Sequence, residues 1–245
     1  MINPIGIGDA SSYDTNNLTD WKLARRHGCQ FGIVRATTTG PWLNGKPTII
    51  QDAMYPINVE RMAMAGVKRM SYAWFDPRYR VCSPVDQANK YLETLGRFGG
   101  PGELGPMIDI EDAPGSGIYN FVGVGQHIKV WLDTVEAALQ IKPRIYTNLG
   151  FVSNYLFNYS IKEDWLPDYG LVIANWGSTA PWVPQPWGPS TWDCWQYRAD
   201  APGKYYGFYS QHGINYAAPN ICLAVWNGQL PPVPACASTA GTGGT

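Results

Sequence analysis

Residues 107–112 read Met-Ile-Asp-Ile-Glu-Asp, a short β-rich run that ends in acidic side chains. A helical pattern follows at Gly125–Gln140, and a second β-rich run, Arg-Ile-Tyr-Thr-Asn, occupies Arg144–Asn148. A strand, a helix and a second strand in this order are typical of a βαβ unit, in which the two strands are parallel. The stretch from 107 to 148 therefore predicts an α/β protein with a parallel sheet.

The same alternation extends along the chain in both directions. It predicts eight strands, at Ile5–Ser11, Phe31–Thr37, Lys68–Phe75, Met107–Asp112, Arg144–Asn148, Leu171–Trp176, Thr191–Arg198 and Ile221–Asn227. Eight strands in this arrangement favour a closed barrel, and barrel enzymes keep their chemistry at the carboxyl ends of the strands. We expect an α/β fold of the irregular TIM-like (β/α) barrel type, with eight strands and some outer helices missing.

Helices are predicted at four positions, Thr19–His27, Gln51–Ala65, Pro84–Phe98 and Gly125–Gln140. Thr19 is the candidate cap of the first helix, and Ser83 followed by Pro84 suits the start of the third. The stretch from Ser178 to Ser190 is rich in Pro, Trp and Gly and leaves no room for a helix between strands six and seven.

Composition narrows the class of protein and the domain organisation. Hydrophobic residues make up 45% of the chain and charged residues 15%, which supports a large core and argues against disorder. We expect one domain over 1–228, and residues 229–245, rich in Pro and Gly, as a tail or truncated linker. The net charge of −1 and the lack of a basic cluster argue against nucleic acid as a partner.

Two carboxyl groups are predicted to lie together at the end of the fourth strand. Side chains alternate between the two faces of a strand, so Met107, Asp109 and Glu111 share one face. Repulsion between two neighbouring carboxylates raises the pKa of one of them, and a raised pKa suits a general acid near neutral pH. A metal site, or acidic residues that cap the following loop, are alternative interpretations of this pattern alone.

Polar and aromatic side chains recur at the ends of other strands. Alternation places Ile5, Ile7 and Asp9 on one face, with the carboxylate at the strand end. Three further strands end in other functional groups: the guanidinium of Arg35, the phenol of Tyr146 and the indole of Trp176. Several such groups on one rim indicate a ligand cleft rather than a purely structural barrel.

These residues resemble family 25 of the glycoside hydrolases, the lysozyme-like muramidases common among phage endolysins. The similarity rests on an ordered set of motifs that extends to about Gly228: Gly8-Asp9-Ala-Ser-Ser-Tyr13, Asp20-Trp21, Phe31-Gly-Ile-Val-Arg-Ala-Thr37, Asp109-Ile-Glu111, Tyr146-Thr147, Ile173-Ala174, Trp195-Gln196-Tyr197 and Val225-Trp226-Asn227-Gly228.

The resemblance implies hydrolysis of the β-1,4 bond between N-acetylmuramic acid and N-acetylglucosamine in bacterial peptidoglycan. It implies that Glu111 is the proton donor, that Asp109 assists as nucleophile or by orienting the substrate's acetamido group, and that Asp9 is a further catalytic carboxylate. The stereochemical course stays open. The substrate-binding set implied for the rim is Arg35, Tyr146, Trp176, Gln196 and Cys222.

The last strand departs from the family pattern. The family usually has an Asp there, and often an Asn two residues later, where this chain has Cys222 and Ala224. A neutral thiol cannot replace the charge of a carboxylate. A match to Ile214-Asn215 would supply an amide but breaks the spacing of the closing motif. The alternative function is therefore a weak or silent barrel that binds cell-wall glycan or serves as a virion structural module.

No cofactor and no metal site is predicted from the sequence. The histidines are isolated, and the five cysteines form no metal-binding spacing, so most are expected to be buried thiols. The chain shows neither an apolar run long enough for membrane insertion nor a secretory signal. We expect it to reach the wall from the host cytoplasm on lysis, or to be extracellular or virion-associated. The sequence does not indicate an oligomeric state.

Overall fold

Eight strands form a closed ring in the computed structural model, which describes residues 3–12, 19–43, 46–76, 82–111, 123–209 and 220–231. With one strand outside the ring, β3, the described residues hold these strands: β1 (Ile5–Ala10), β2 (Cys29–Leu43), β3 (Lys46–Gln51), β4 (Lys68–Trp74), β5 (Pro106–Asp109), β6 (Arg144–Asn148), β7 (Gly170–Ala174), β8 (Cys194–Pro202) and β9 (Asn220–Trp226). The ring runs β1-β2-β4-β5-β6-β7-β8-β9 and closes where β9 pairs with β1. All eight predicted strands are present, and the barrel prediction is confirmed.

One strand of the ring has a direction that the alternation of strands and helices did not predict. β9 pairs antiparallel with both β8 and β1, whereas the other neighbours in the ring are parallel. Antiparallel neighbours need no crossover helix, and the described part of the β8–β9 connection holds only a short helical turn at Gly203–Tyr206. The expectation of a wholly parallel ring is wrong at this position.

A strand outside the ring was also missed. β3 pairs antiparallel with the extended end of β2, so that Gln51, expected to begin a helix, instead ends a strand. The helix of this region begins at Tyr55. Its predicted start was wrong because the local pattern does not show the partner strand that holds residues 46–51 extended.

The outer helices are α1 (Trp21–Arg26), α2 (Tyr55–Ala65), α3 (Pro84–Arg97) and α4 (Val124–Leu139), with a short helical segment at Leu149–Phe151 that continues through Val152–Leu156. Ser83 caps α3 as predicted, since its hydroxyl accepts from the Asp86 amide at 3.0 Å. Thr19 was the wrong cap for α1, because the Asp20 carboxylate accepts from the Leu23 amide. No helix lies between β7 and β8, as expected.

The barrel has two hydrophobic layers, one inside the ring and one between the strands and the helices. The inner layer consists of Phe31, Ile33, Met70, Tyr72, Leu104, Met107, Tyr146, Val172, Cys194, Ala224 and Trp226. The outer layer includes Ile7, Ile108 and Ile110 together with the buried faces of the helices. Cys29, Cys82 and Cys194 are buried free thiols, as expected.

The chain stays packed slightly beyond the predicted domain boundary. Leu230 packs against the inner layer, and the Pro231 carbonyl accepts a hydrogen bond from Lys68 Nζ. The remainder of the predicted tail, 232–245, lies outside the described residues. Within the part of the chain that the structure describes, no helix has the length and apolar character needed to cross a membrane.

Gly6 is required where β1 passes the interior of the ring. A Cβ at this position would lie 2.5 Å from the Phe31 ring, which is fully buried. We predict that Gly6→Ala lowers the free energy of unfolding by about 1–3 kcal/mol, because a close-packed ring must move. Gly96 in α3 is a matched control, since a Cβ there meets nothing within 4 Å. Gly96→Ala should stabilise the protein by up to about 1 kcal/mol. Denaturant titrations measure the change in the free energy of unfolding for both variants. Changes of the same sign would contradict this packing.

Candidate active site

A small polar cavity opens at the carboxyl end of the barrel. Its polar lining comes from five strands and the residues that follow them: Asp9, Tyr72, Asp109, Glu111, Tyr146 and Gln196. The space between these groups is about 20 Å³, which is room for one water-sized group. A larger substrate would therefore lie over this cavity and present one reacting group to it.

Asp109 and Glu111 both face this cavity, in agreement with the alternation of side chains along the strand. Met107 belongs to the inner layer and Ile108 and Ile110 to the outer layer, so the odd-numbered positions of β5 point inward. Asp109 is only 6% exposed, and its Oδ1 atom has no hydrogen-bond partner among the described residues. A buried carboxyl oxygen without a partner is costly, and such groups occur at functional sites.

Burial governs the protonation of this pair. Burial, followed by the charges of Glu111 and Asp9, raises the pKa of Asp109 well above its usual range, and the cation of Arg35 opposes this rise. Burial also raises the pKa of Glu111. The site can therefore hold a proton on one of two adjacent carboxyl groups at a pH where an exposed carboxyl group would have lost it.

Asp9 reaches the cavity by a route that simple alternation did not predict. Ile7 pairs with Gly32 and Ala10 with Val34, so Gly8 and Asp9 together oppose a single residue of β2. This bulge turns the Asp9 side chain inward, where Oδ1 accepts from the Tyr72 hydroxyl at 2.6 Å. Ile7 instead packs in the outer layer, so the prediction that Ile7 and Asp9 share a face is wrong.

Arg35 is held by a buried aspartate that the sequence did not reveal. Its Nε donates to Asp52 Oδ2 at 2.8 Å, and the Asp52 side chain is fully buried. The Asp52 carboxylate also accepts from the Met54 amide and from the amide and hydroxyl of Ser12. The one local signal for Asp52 was its place at the start of the predicted helix Gln51–Ala65, where carboxylates often bind free backbone amides.

Gln196 connects three parts of the rim. Its Oε1 accepts from the Tyr146 hydroxyl at 3.0 Å and from the Trp176 indole at 2.9 Å, and its Nε2 donates to the Gly8 carbonyl at 3.2 Å. Gln196 is 1% exposed, whereas Trp176 is 56% exposed. The amide thus fixes the phenol and the indole, and the indole keeps a free face towards solvent.

Cys222 lies at the same rim because β9 runs antiparallel. The start of β9, rather than its end, meets the carboxyl ends of the other strands. Ala224, two residues after Cys222, faces the interior of the ring. Burial raises the pKa of Tyr146, and the neighbouring carboxyl groups of Glu111, Asp109 and Asp9 raise it further. The alternative match at Ile214-Asn215 lies outside the described residues.

A barrel with two neighbouring carboxyl groups at the end of one strand is typical of glycoside hydrolases. The chain matches the model of glycosyl hydrolases family 25 over residues 8–204, and it belongs to this family of glycoside hydrolases.

Solved structures share the fold at low sequence identity. A bacterial lysozyme from Streptomyces coelicolor has a TM-score of 0.70 and 19% identity, covering 94% of each chain. A family GH25 lysozyme from Aspergillus fumigatus has a TM-score of 0.68 and 19% identity, covering 94% of this chain and 96% of the other. The catalytic domain of endolysin ply40 from bacteriophage P40 of Listeria monocytogenes has a TM-score of 0.64 and 14% identity, covering 93% and 94%. A search of curated proteins gave no match.

The raised pKa of Asp109 predicts a stability that depends on pH. Because the folded-state pKa lies above the unfolded value, Asp109 favours the fold only at acidic pH, and this contribution is lost as pH rises towards the folded pKa. We predict that Asp109→Asn raises the free energy of unfolding at pH 7 by about 0.5–2 kcal/mol, with a smaller gain at pH 4. Urea titrations across this range measure the difference.

Asp52→Asn is the matched comparison, since it makes the same change at another buried carboxylate. Here the carboxylate is paired with Arg35, so its loss leaves a cation without its partner. The free energy of unfolding should fall by roughly 3 kcal/mol. If Asp109→Asn and Asp52→Asn lower the free energy of unfolding by the same amount, the distinction between an unpaired and a paired carboxylate is refuted.

Proposed function

We propose that this glycoside hydrolase is a muramidase that cleaves the β-1,4 bond between N-acetylmuramic acid and N-acetylglucosamine in bacterial peptidoglycan. Membership of family 25 supports the reaction class. Of the three solved structures described above, two are named lysozymes and one is an endolysin. The observation that carries the proposal is the pair Asp109 and Glu111 in one small cavity at the barrel's carboxyl end.

Glu111 is the proton donor in this proposal. It is more exposed than Asp109, so it can reach a substrate that lies over the cavity, and burial keeps its pKa raised. Its carboxyl group gives a proton to the glycosidic oxygen as the bond from that oxygen to the anomeric carbon breaks. The carboxylate that remains then takes a proton from the water that attacks the anomeric carbon.

Asp109 stabilises the positive charge that develops at the anomeric carbon. It does so either by attack on that carbon or by orienting the substrate's acetamido oxygen for the same attack. Asp9, held by Tyr72, adds negative charge to the same cavity. Arg35, held by Asp52, limits the excess of negative charge from the three carboxyl groups.

The aromatic side chains of the rim position the sugar. Tyr146 and Trp176 are fixed through Gln196, so they present the same surface to each incoming substrate. An indole face packs well on the apolar face of a sugar ring. The substrate in this proposal is therefore a glycan strand of the cell wall. The chain meets it after release from a lysing host or as part of a virion or extracellular enzyme.

Glu111→Gln tests the proton donor. The amide keeps the shape of the side chain but cannot give up a proton, so we predict that the rate falls by about 10²–10⁴. New reducing ends released from purified cell walls measure the rate, and mass analysis of the products identifies the bond and the reducing sugar. Glu93→Gln, on the exposed face of α3, is the matched control and should keep the full rate. Equal rates for both variants would remove Glu111 from the mechanism.

A silent glycan-binding barrel is the second candidate, because Cys222 and Ala224 occupy the positions where the family pattern has Asp and Asn. The same experiment separates the two functions. Binding to cell walls without new reducing ends, in the unmodified protein as well as in Glu111→Gln, would support the binding module and refute the hydrolase.

Cys222→Asp tests whether Cys222 stands at the position of the family's Asp. We predict that this variant keeps or raises the rate of hydrolysis, because it returns a carboxylate to the rim beside Tyr146. Cys222→Ser, which adds no charge, is the control and should give no gain. A folded Cys222→Asp protein that has lost most of its activity would show that Cys222 is not at the position of the family's Asp.

A further inference from the structure

A second concavity lies next to the catalytic cavity at the carboxyl end of the barrel. It has a volume of about 420 Å³ and is lined by Trp176, Gly177, Tyr197, Arg198, Ala199 and Asp200. These residues follow the end of β7 or lie on β8 beyond Gln196, the last β8 residue that pairs with β7. We call this feature the side groove.

The side groove and the cavity are linked by a hydrogen bond between one lining residue of each. Trp176 lines the groove, and its indole donates to Oε1 of Gln196, which lines the cavity. The same oxygen accepts from Tyr146. One indole side chain therefore contacts both the groove and the Gln196 side chain of the cavity.

The chemistry of the groove differs from that of a plain sugar site. The Arg198 guanidinium lies 2.5 Å from Asp200, and the two side chains are 48% and 75% exposed. Two aromatic side chains, Trp176 and Tyr197, stand beside this pair. An unmodified sugar carries no charge, whereas a short peptide with free carboxylate and ammonium groups complements both signs and packs its methyl groups on the rings.

From this arrangement we propose that the side groove binds the peptide stem of the muramic acid residue. The inference rests on the proposed function, because it takes peptidoglycan as the substrate. Muramic acid bears the peptide as a branch on the very sugar whose bond is cut, so the branch must leave the glycan strand close to the catalytic cavity. The side groove is a concavity that is joined to the cavity by the contact between Trp176 and Gln196.

Arg198 binds a carboxylate of the stem through its guanidinium fork, and Asp200 binds an ammonium group. Both side chains must exchange their mutual contact for contacts to the ligand. That exchange costs little, because an exposed ion pair contributes little to stability. The groove therefore adds affinity for branched glycan without a change in the fold.

The experiment compares two substrates with the same sugar chain. One is cell-wall strands that keep their peptide stems, and the other is strands from which an amidase has removed the stems, leaving a lactyl carboxylate on each muramic acid. We expect the unmodified protein to have a higher kcat/KM on the strands with stems. Arg198→Ala and Asp200→Ala should each lower kcat/KM on these strands by about fivefold, or about 1 kcal/mol. Both variants should cleave the stem-free strands at the unmodified rate.

The matched control is another exposed ion pair, Lys90 and Glu93 of α3, which lies on the outside of the barrel. Lys90→Ala and Glu93→Ala should leave both substrates unaffected. Trp176 is left intact because its indole also holds Gln196. An equal effect of Arg198→Ala and Asp200→Ala on both substrates, or no effect on either, would overturn the inference, as would equal rates of the unmodified protein on both.

Failure of the inference is separate from failure of the proposed function. Cleavage of the stem-free strands that is lost in Glu111→Gln upholds the muramidase whatever the groove binds. If neither substrate is cleaved by the unmodified protein, the muramidase itself is refuted, and the peptide-stem proposal falls with it.

Discussion

Closure of the ring at β1 is the constraint on which the rest of the molecule depends. β1 pairs with β2 on one side and with β9 on the other, and Gly6 leaves the interior at this point to the Phe31 ring. Closure brings the carboxyl ends of seven strands and the start of the eighth to one rim. Residues from distant parts of the chain, such as Asp9 and Cys222, become neighbours there.

The electrostatics of the rim follow from this convergence. Asp9, Asp109 and Glu111 place three carboxyl groups around one small space, and the ring interior excludes most of the water that would stabilise their charges. Arg35 offsets part of this charge, and the buried Asp52 holds its guanidinium in place. This arrangement of carboxyl groups lowers the free energy of unfolding at neutral pH. It also keeps a proton on the pair Asp109 and Glu111, where the proposed reaction uses it.

The rim also links two surfaces of different character. The cavity is acidic and narrow, whereas the side groove is wide, aromatic and bears both charges. Gln196 joins them by holding Tyr146 on one side and Trp176 on the other. In the proposed function, the glycan strand lies over the cavity and its peptide branch lies in the side groove.

The sequence alone determined where the eight strands of the ring lie and which carboxyl groups share the end of β5. Each of these features depends on residues that are close together in the sequence. A buried strand appears as a β-rich run, alternation with a period of two pairs Asp109 with Glu111, and Ser83 before a proline marks a helix start. The ordered motifs also indicated the family, which the match over residues 8–204 confirmed.

Tertiary structure decided what depends on partners far away in the chain. The bulge that turns Asp9 inward exists only against β2, and β9 takes its direction from its two neighbours. The ion pair of Arg35 joins it to a residue 17 positions away, and the contact of Gln196 with Gly8 spans 188 positions. Local patterns cannot encode such contacts, because side-chain periodicity fixes a face of one strand but not the strand that packs against it.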